Sequence, residues 1–412
     1  MVVPSAFLSD RARGVKQSAV RDVFDLAMAP GVVSLAGGNP WLDELPLERL
    51  GGVAEELVAR QGHLSLQYGA GQGTPELRDA VCSVMAADGI SGADPENVVI
   101  TPGSQAAIDT AARMLGNPGD VVVVEDPTFV GALNTFNTWE LDAVTTPTDD
   151  EGLIPALLRT TLQRLRTEGR RVAFLYTIPS YANPSGALMP AERRDEVARI
   201  CREEGVLIVE DNAYGQLGFT DGPVAPIAAA HRDHVIYLGT VSKIFSPGVR
   251  IGWALVPTAL LREFYLSAES AFVCPPVFSQ MLSTAFLTRF DWQGHVARCT
   301  DEYARRCDAL VEEMEQTLDP RIQWRRPAGG FFVWARMPDG LDTLPLMHTA
   351  AEAGVVFVPG GAFTPDDGPH PHFRLAFSFV APEALREGVR RLAPVLNAAL
   401  PSDDPLAPPR AK

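Results

Sequence analysis

From residue 97 to 243 the chain repeats one pattern, and that pattern limits what it can fold into. Apolar, β-branched runs stand at 97–101, 121–127, 171–179, 206–214 and 234–243, separated by stretches of helical spacing such as 191–205. A strand that alternates apolar and polar residues has one wet face. These runs are apolar throughout, so both faces must be covered. Such strands alternating with helices predict a parallel sheet with helices on each side, an α/β fold.

In an open sheet of this kind, ligands bind past the C-terminal ends of the strands. Several polar groups fall there. Gly103, Ser104 and Gln105 follow the first run and open a helix, whose free N–H groups and positive dipole end suit a phosphate. Asn183 follows the third run, Asp211 and Tyr214 the fourth, and Lys243 the fifth. Singly, each has an ordinary structural explanation: Asp211 as a helix cap, Asn183 before Pro184 as turn chemistry, Tyr214 as a core aromatic. Their coincidence at successive strand ends points to a site. Lys243 also has Thr240 and Ser242 before it and Arg250 after it, with Ser246, Pro247 and Gly248 forcing a tight turn between. An amine beside hydroxyls and a guanidinium suits a lysine that forms a Schiff base with a phosphorylated aldehyde.

The remainder predicts further parts. Helical spacing is present at 15–29, ended by Pro30 and Gly31, and again at 44–61. Gly69, Gly71 and Gly73 follow no strand, so they are not read as a dinucleotide loop; Thr74 and Pro75 start a helix. Residues 257–318 read as mostly helical. Beyond them, short strands in 324–338, 354–363 and 372–380 and a closing helix over 386–400 describe a smaller α+β unit. The expected division is an N-terminal arm at 1–45 belonging to the small domain, a large domain at 46–290, a small domain at 291–400 and a disordered Pro-rich tail at 401–412.

Composition excludes several classes. Of 412 residues 46% are hydrophobic, which fits a large core, and the length prior is about two to three domains. The net charge of −16 argues against nucleic-acid binding. No apolar run approaches the ~20 residues of a membrane span, and the N-terminus lacks a signal-peptide core. A cytoplasmic protein is expected. Five scattered cysteines without CxxC spacing indicate neither a zinc site nor a disulfide framework. His370 and His372 read as a surface loop, so no metal is expected.

Taken together, Ala36-Gly37-Gly38-Asn39-Pro40, Gln67-Tyr68, Thr101 to Ala106, Glu125 to Phe129, Asn183 to Gly186, Glu210 to Tyr214, Gly239 to Arg250 and Phe373-Arg374-Leu375 form a recognisable set. From about Ser18 to Leu396 the sequence resembles the class I/II aminotransferases of fold type I, which use pyridoxal 5′-phosphate. Within that family it is most similar to the 2-aminoadipate and kynurenine aminotransferases. The resemblance implies a large domain with a mostly parallel sheet, a smaller α+β domain, and a homodimer with shared active sites. It implies that Lys243 forms the Schiff base and moves the proton, that Asp211 pairs with the pyridinium nitrogen, and that Asn183 and Tyr214 bond the phenolate oxygen. Gly103, Ser104, Gln105, Thr240, Ser242 and Arg250 would hold the phosphate, with Tyr68 reaching the neighbouring subunit's cofactor. Phe129, where relatives mostly have Tyr, would stack on the ring. Arg374 would grip the substrate carboxylate, helped by the backbone at Gly38; Asn39 and Arg21 would face the rest of the substrate. Asn39 departs from the family's apolar residue, and Pro275 before Pro276 departs from its hydroxyl, so no role is carried to that segment.

The implied reaction exchanges the amino group of an L-amino acid, aromatic, aryl-glycine-like or 2-aminoadipate-like, with a 2-oxo acid such as 2-oxoglutarate. The alternative is another reaction of the same cofactor: a lyase, decarboxylase, cyclase or oxidase. A regulator with a fused DNA-binding module is disfavoured, since only residues 1–35 precede Ala36 and the charge is acidic.

Overall fold

The computed structural model of the chain describes residues 7–14, 26, 29–219, 222–366 and 368–401. Apart from residues 26 and 29, the helix expected over 15–29, Arg21 within it, and the tail from 402 lie outside the described residues. In chain order the strands are β1 (Val33–Ser34), β2 (Val98–Thr101), β3 (Val121–Asp126), β4 (Asp142–Asp149), β5 (Gly152–Leu153), β6 (Val172–Thr177), β7 (Ile208–Asp211), β8 (Val235–Thr240), β9 (Gly252–Leu255), β10 (Gln323–Trp324), β11 (Phe332–Arg336), β12 (Val355–Val356), β13 (Val358–Pro359) and β14 (His372–Ala376).

All five apolar runs become strands of one eight-stranded sheet, ordered β2-β9-β8-β7-β6-β3-β4-β5. The block β4-β3-β6-β7-β8 is parallel. Alternate residues divide between two cores. Val121, Val123, Ile208 and Tyr237 join one, while Val122, Val124, Tyr176, Val209 and Leu238 join the other. Each such side chain, fully buried, contributes about 1.5–3 kcal/mol.

Three strands escaped the sequence pattern. β9 runs antiparallel to both β8 and β2. It is short and follows directly on the tight turn, so nothing in its composition sets it apart. β4 is rich in Thr and Asp and contains Pro147; its outer side meets only the two-residue β5, an edge setting that tolerates proline. The stretch 257–318 resolves into helices Leu261–Phe272, Val277–Arg289 and Trp292–Thr317.

A second sheet, β10-β11-β14-β13, is antiparallel and places Arg374 between Trp334 and Val358. The N-terminal segment is stitched to this part of the chain. β1 pairs with β12, Leu35 N–H donates to Val356 O at 2.9 Å, and Ala376 N–H donates to Leu35 O at 2.7 Å. His372 is not in a loop: it opens β14 and stacks on Trp334, with centroids 5.2 Å apart.

Candidate active site

The ends of β2, β8, β7 and β6 and the segment Ala36–Gly38 converge on one place. Lys243, half-buried, donates from Nζ to Gly38 O at 3.0 Å and lies 5.5 Å from the Phe331 ring centroid and 5.9 Å from that of Tyr214. Burial, reinforced by the Arg374 and Arg250 guanidinium groups and opposed by Asp211, brings its ammonium down to about 8.

Asp211 closes β7 and caps no helix. Its Oδ2 accepts the Tyr176 hydroxyl at 2.8 Å, while Oδ1 is buried without a partner. Burial raises the carboxyl to about 6, against the Tyr176 hydrogen bond and Lys243. Tyr214 is buried edge-on to Phe331 and Phe332, and burial pushes its hydroxyl up.

Arg374 is fully enclosed. It donates from Nη1 to Asn183 Oδ1 and from Nη2 to Ala36 O, both at 2.7 Å; its Nε is buried and unpartnered. The guanidinium lies 4.1 Å from the Phe332 centroid and 4.9 Å from that of Phe363. Because the Asn183 oxygen is taken, its NH₂ group is left to donate elsewhere. The carbonyl beside Arg374 is thus that of Ala36, whereas Gly38 engages Lys243; a Cβ on Gly38 would fall 2.5 Å from the Phe332 ring.

A different construction stands at Gly103. With φ +82° it turns β2 into the helix Ser104–Leu115, a backbone that favours glycine. A Cβ there would lie 2.2 Å from Arg250 Nη2, and one on Gly252 would lie 2.4 Å from Ser104 N. The first turn of the helix is therefore pressed against β9 and Arg250. Arg250 is exposed and donates to Pro102 O at 3.2 Å and Pro247 O at 3.3 Å. Thr240 Oγ1 sits 2.9 Å from Ser242 Oγ and accepts from Ser242 N–H at 3.1 Å. The Gln105 side chain turns away, donating to Gly131 O at 3.0 Å and Thr135 Oγ1 at 2.7 Å, so only its backbone N–H faces the cradle.

Three further expected residues have other settings. Tyr68 is 79% exposed. Asn39 is exposed, and its carbonyl accepts the Ser378 hydroxyl at 2.7 Å. Phe129 caps the helix Val130–Thr138 with its ring beside Gly131. Sequence reading missed Tyr176, Ala36, Gly252 and the pair Phe331–Phe332. Tyr176 is hidden inside an apolar run, and carbonyls carry no sequence signal; Gly329-Gly330 before the phenylalanines is the one cue.

The family model for aminotransferase class I and II matches residues 30–392. The chain belongs to this family. The aromatic-amino-acid aminotransferase 1 of Thermococcus litoralis is 36% identical over 392 residues, covering 95% of this chain and 94% of the relative. The 2-aminoadipate transaminase of Thermus thermophilus is 32% identical, covering 94% and 95%. Among solved structures, the kynurenine aminotransferase of Pyrococcus horikoshii superposes with a TM-score of 0.91 at 34% identity, over 97% and 98% of the two chains.

The protein is a fold type I aminotransferase and its cofactor is pyridoxal 5′-phosphate. Its residues fit that group. Asp211 Oδ1 is a buried acceptor lacking a donor, which a pyridinium N–H would supply, and the N–H groups of the Gly103–Ser104 turn would suit a phosphate.

Proposed function

We propose that the enzyme exchanges the amino group of an L-amino acid with an aromatic, aryl-glycine-like or 2-aminoadipate-like side chain for the carbonyl of a 2-oxo acid such as 2-oxoglutarate. One observation carries this reading: a buried Arg374, held by Asn183 and Ala36 with Nε free, stands at the same site as Lys243 and Asp211. The guanidinium fork binds the substrate carboxylate, and Phe332 beneath it favours an apolar or aromatic body.

Bound pyridoxal phosphate supplies the electron sink for charge left at the substrate α-carbon. Lys243, with its ammonium brought down to about 8, is neutral often enough near neutral pH to take that proton at Nζ and return it. Asp211 Oδ1 would keep the ring nitrogen protonated. Asn183 Nδ2 and the Tyr214 hydroxyl would hold the phenolic oxygen. The N–H groups at Gly103, Ser104 and Gln105, with Thr240, Ser242 and Arg250, would hold the phosphate, and Phe129 would stack on the ring. We assign the distal part of the substrate to Asn39 and Arg21, as the resemblance implies.

We also divide the chain into an arm at 1–45, a large domain at 46–290 and a small domain at 291–400. Two such chains form a homodimer. Tyr68 and the exposed Leu64, Leu66 and Val273 cover the partner, and Tyr68 reaches its cofactor phosphate. The enzyme acts in cytoplasmic amino-acid metabolism.

A panel of amino donors assayed with 2-oxoglutarate tests the substrate class. In the half-reaction, an amino acid added without any oxo acid yields one equivalent of pyridoxamine phosphate and then stops. Continued turnover with ammonia release overturns the assignment.

A further inference from the structure

We propose that Tyr176 is a positioning residue that fixes the orientation of the Asp211 carboxylate, so that its free oxygen is presented to the pyridine nitrogen. The inference rests on the reading that Asp211 holds that nitrogen.

Tyr176 and Asp211 stand on neighbouring parallel strands, with Tyr176 in register with Val209. The tyrosine is fully buried, its ring held edge-on by Phe136 at 5.6 Å and 74°, so its hydroxyl has a fixed address. It donates to Oδ2 at 2.8 Å. Oδ1 is the oxygen without a partner, and it stays free to accept. Any rotation short of exchanging the two equivalent oxygens would break a buried hydrogen bond to a charged group.

The same bond affects charge. A donor to the ionised form favours carboxylate over acid. Burial works the other way on Asp211, and Lys243 works with Tyr176. Tyr214 also faces Asp211, and Glu125 faces Tyr176. Tyr176 itself stays neutral, since burial and Asp211 hold its hydroxyl well above the ordinary tyrosine range, so it remains a donor throughout. A weaker base at Asp211 leaves the shared proton on the ring nitrogen.

An ordinary core tyrosine would make no such link, and a double-mutant cycle separates the two roles. The full-length protein, stripped of cofactor, is titrated with pyridoxamine 5′-phosphate between pH 5.5 and 8.5, following tryptophan fluorescence. This ligand needs no bond to Lys243, and binding is read without turnover, so a failure of amino transfer leaves the test intact. Tyr176→Phe is expected to weaken binding about tenfold or more. Its acid-side loss of affinity sets in at higher pH than in the wild type, because losing the donor raises the Asp211 titration. In an Asp211→Asn background the tyrosine change has little further effect on binding. Wild-type affinity at every pH, a loss undiminished beside Asp211→Asn, or a lowered melting temperature with unchanged binding each overturns the proposal. If Tyr176→Phe does not fold, Tyr176→Met, which also lacks the hydroxyl, enters the same cycle under the same criteria.

Discussion

The two ends of the site are built from different materials. Around Asp211, Lys243 and Arg374 the groups are charged side chains drawn from distant parts of the chain and buried among Phe331, Phe332 and Phe363. Around Gly103 they are backbone N–H groups, two hydroxyls and one exposed arginine, all within a few residues of a turn. Low dielectric magnifies each charge at the first end, which is why the large titration shifts gather there. At the second end many weak donors share one task. Damage should therefore be steep at the first and shallow at the second.

The steepest loss is expected for Lys243→Ala, on the order of 10⁴-fold or more in turnover with loss of the visible cofactor absorbance, the scale of deleting a nucleophile. Steady-state rates near the wild type would remove Lys243 from the chemistry. Next comes Arg374→Ala. Truncating a buried charge contact costs about 2–5 kcal/mol, so kcat/KM should fall roughly 10²- to 10³-fold, mainly through KM for the carboxylate substrate. An unchanged KM would show that the carboxylate binds elsewhere.

Burying a charge has a stability cost that can be measured directly. Lys243 titrates at about 8 in the folded chain and near 10.4 when unfolded. Between those values the unfolded chain binds more protons, so stability rises with pH across that window. At pH 7 the full cost is present. Cofactor-free Lys243→Met should then be more stable than the wild type at pH 7, by on the order of 3 kcal/mol in urea unfolding, with the difference fading above about pH 10. A difference independent of pH would break the link to burial.

The phosphate end should respond less. Gly103→Ala forces a side chain into a positive φ and against Arg250, a strain of about 1–3 kcal/mol, and should loosen pyridoxal phosphate roughly tenfold by equilibrium dialysis. Thr240→Ala removes one hydroxyl of several and should cost only a few-fold, matching a hydrogen bond worth about 0.5–1.5 kcal/mol. Were Thr240→Ala to match Arg374→Ala in severity, the contrast between the two ends would fail.

The same contrast explains what could be read from sequence. Asp211, Asn183 and Lys243 interrupt or follow apolar runs, so a polar residue at a strand end announces itself. Tyr176 lies inside such a run and passes for core; only its partner reveals it. β4 hides because its edge position allows threonine, aspartate and proline, and β9 because it is brief. Gly252 shows its purpose only once the turn at Ser104 is packed on it. The pairings Arg374–Asn183 and Lys243–Gly38 depend on how distant segments come together, which no local pattern encodes.

Those distances along the chain have a consequence for assembly. Arg374 reaches Ala36 across 338 positions, and Lys243 reaches Gly38 across 205. A nascent chain on the ribosome can complete all strands of the large sheet once residue 255 has emerged, yet Arg374 and β12, the strand that receives β1, are still unmade. The amine therefore exists before the guanidinium proposed to position the substrate, and closing so long a loop is a late, slow event. Clipping the C-terminus as far as β14 would leave the same half-built vessel: a sound sheet, a lysine, and no Arg374 to align the molecule it acts upon.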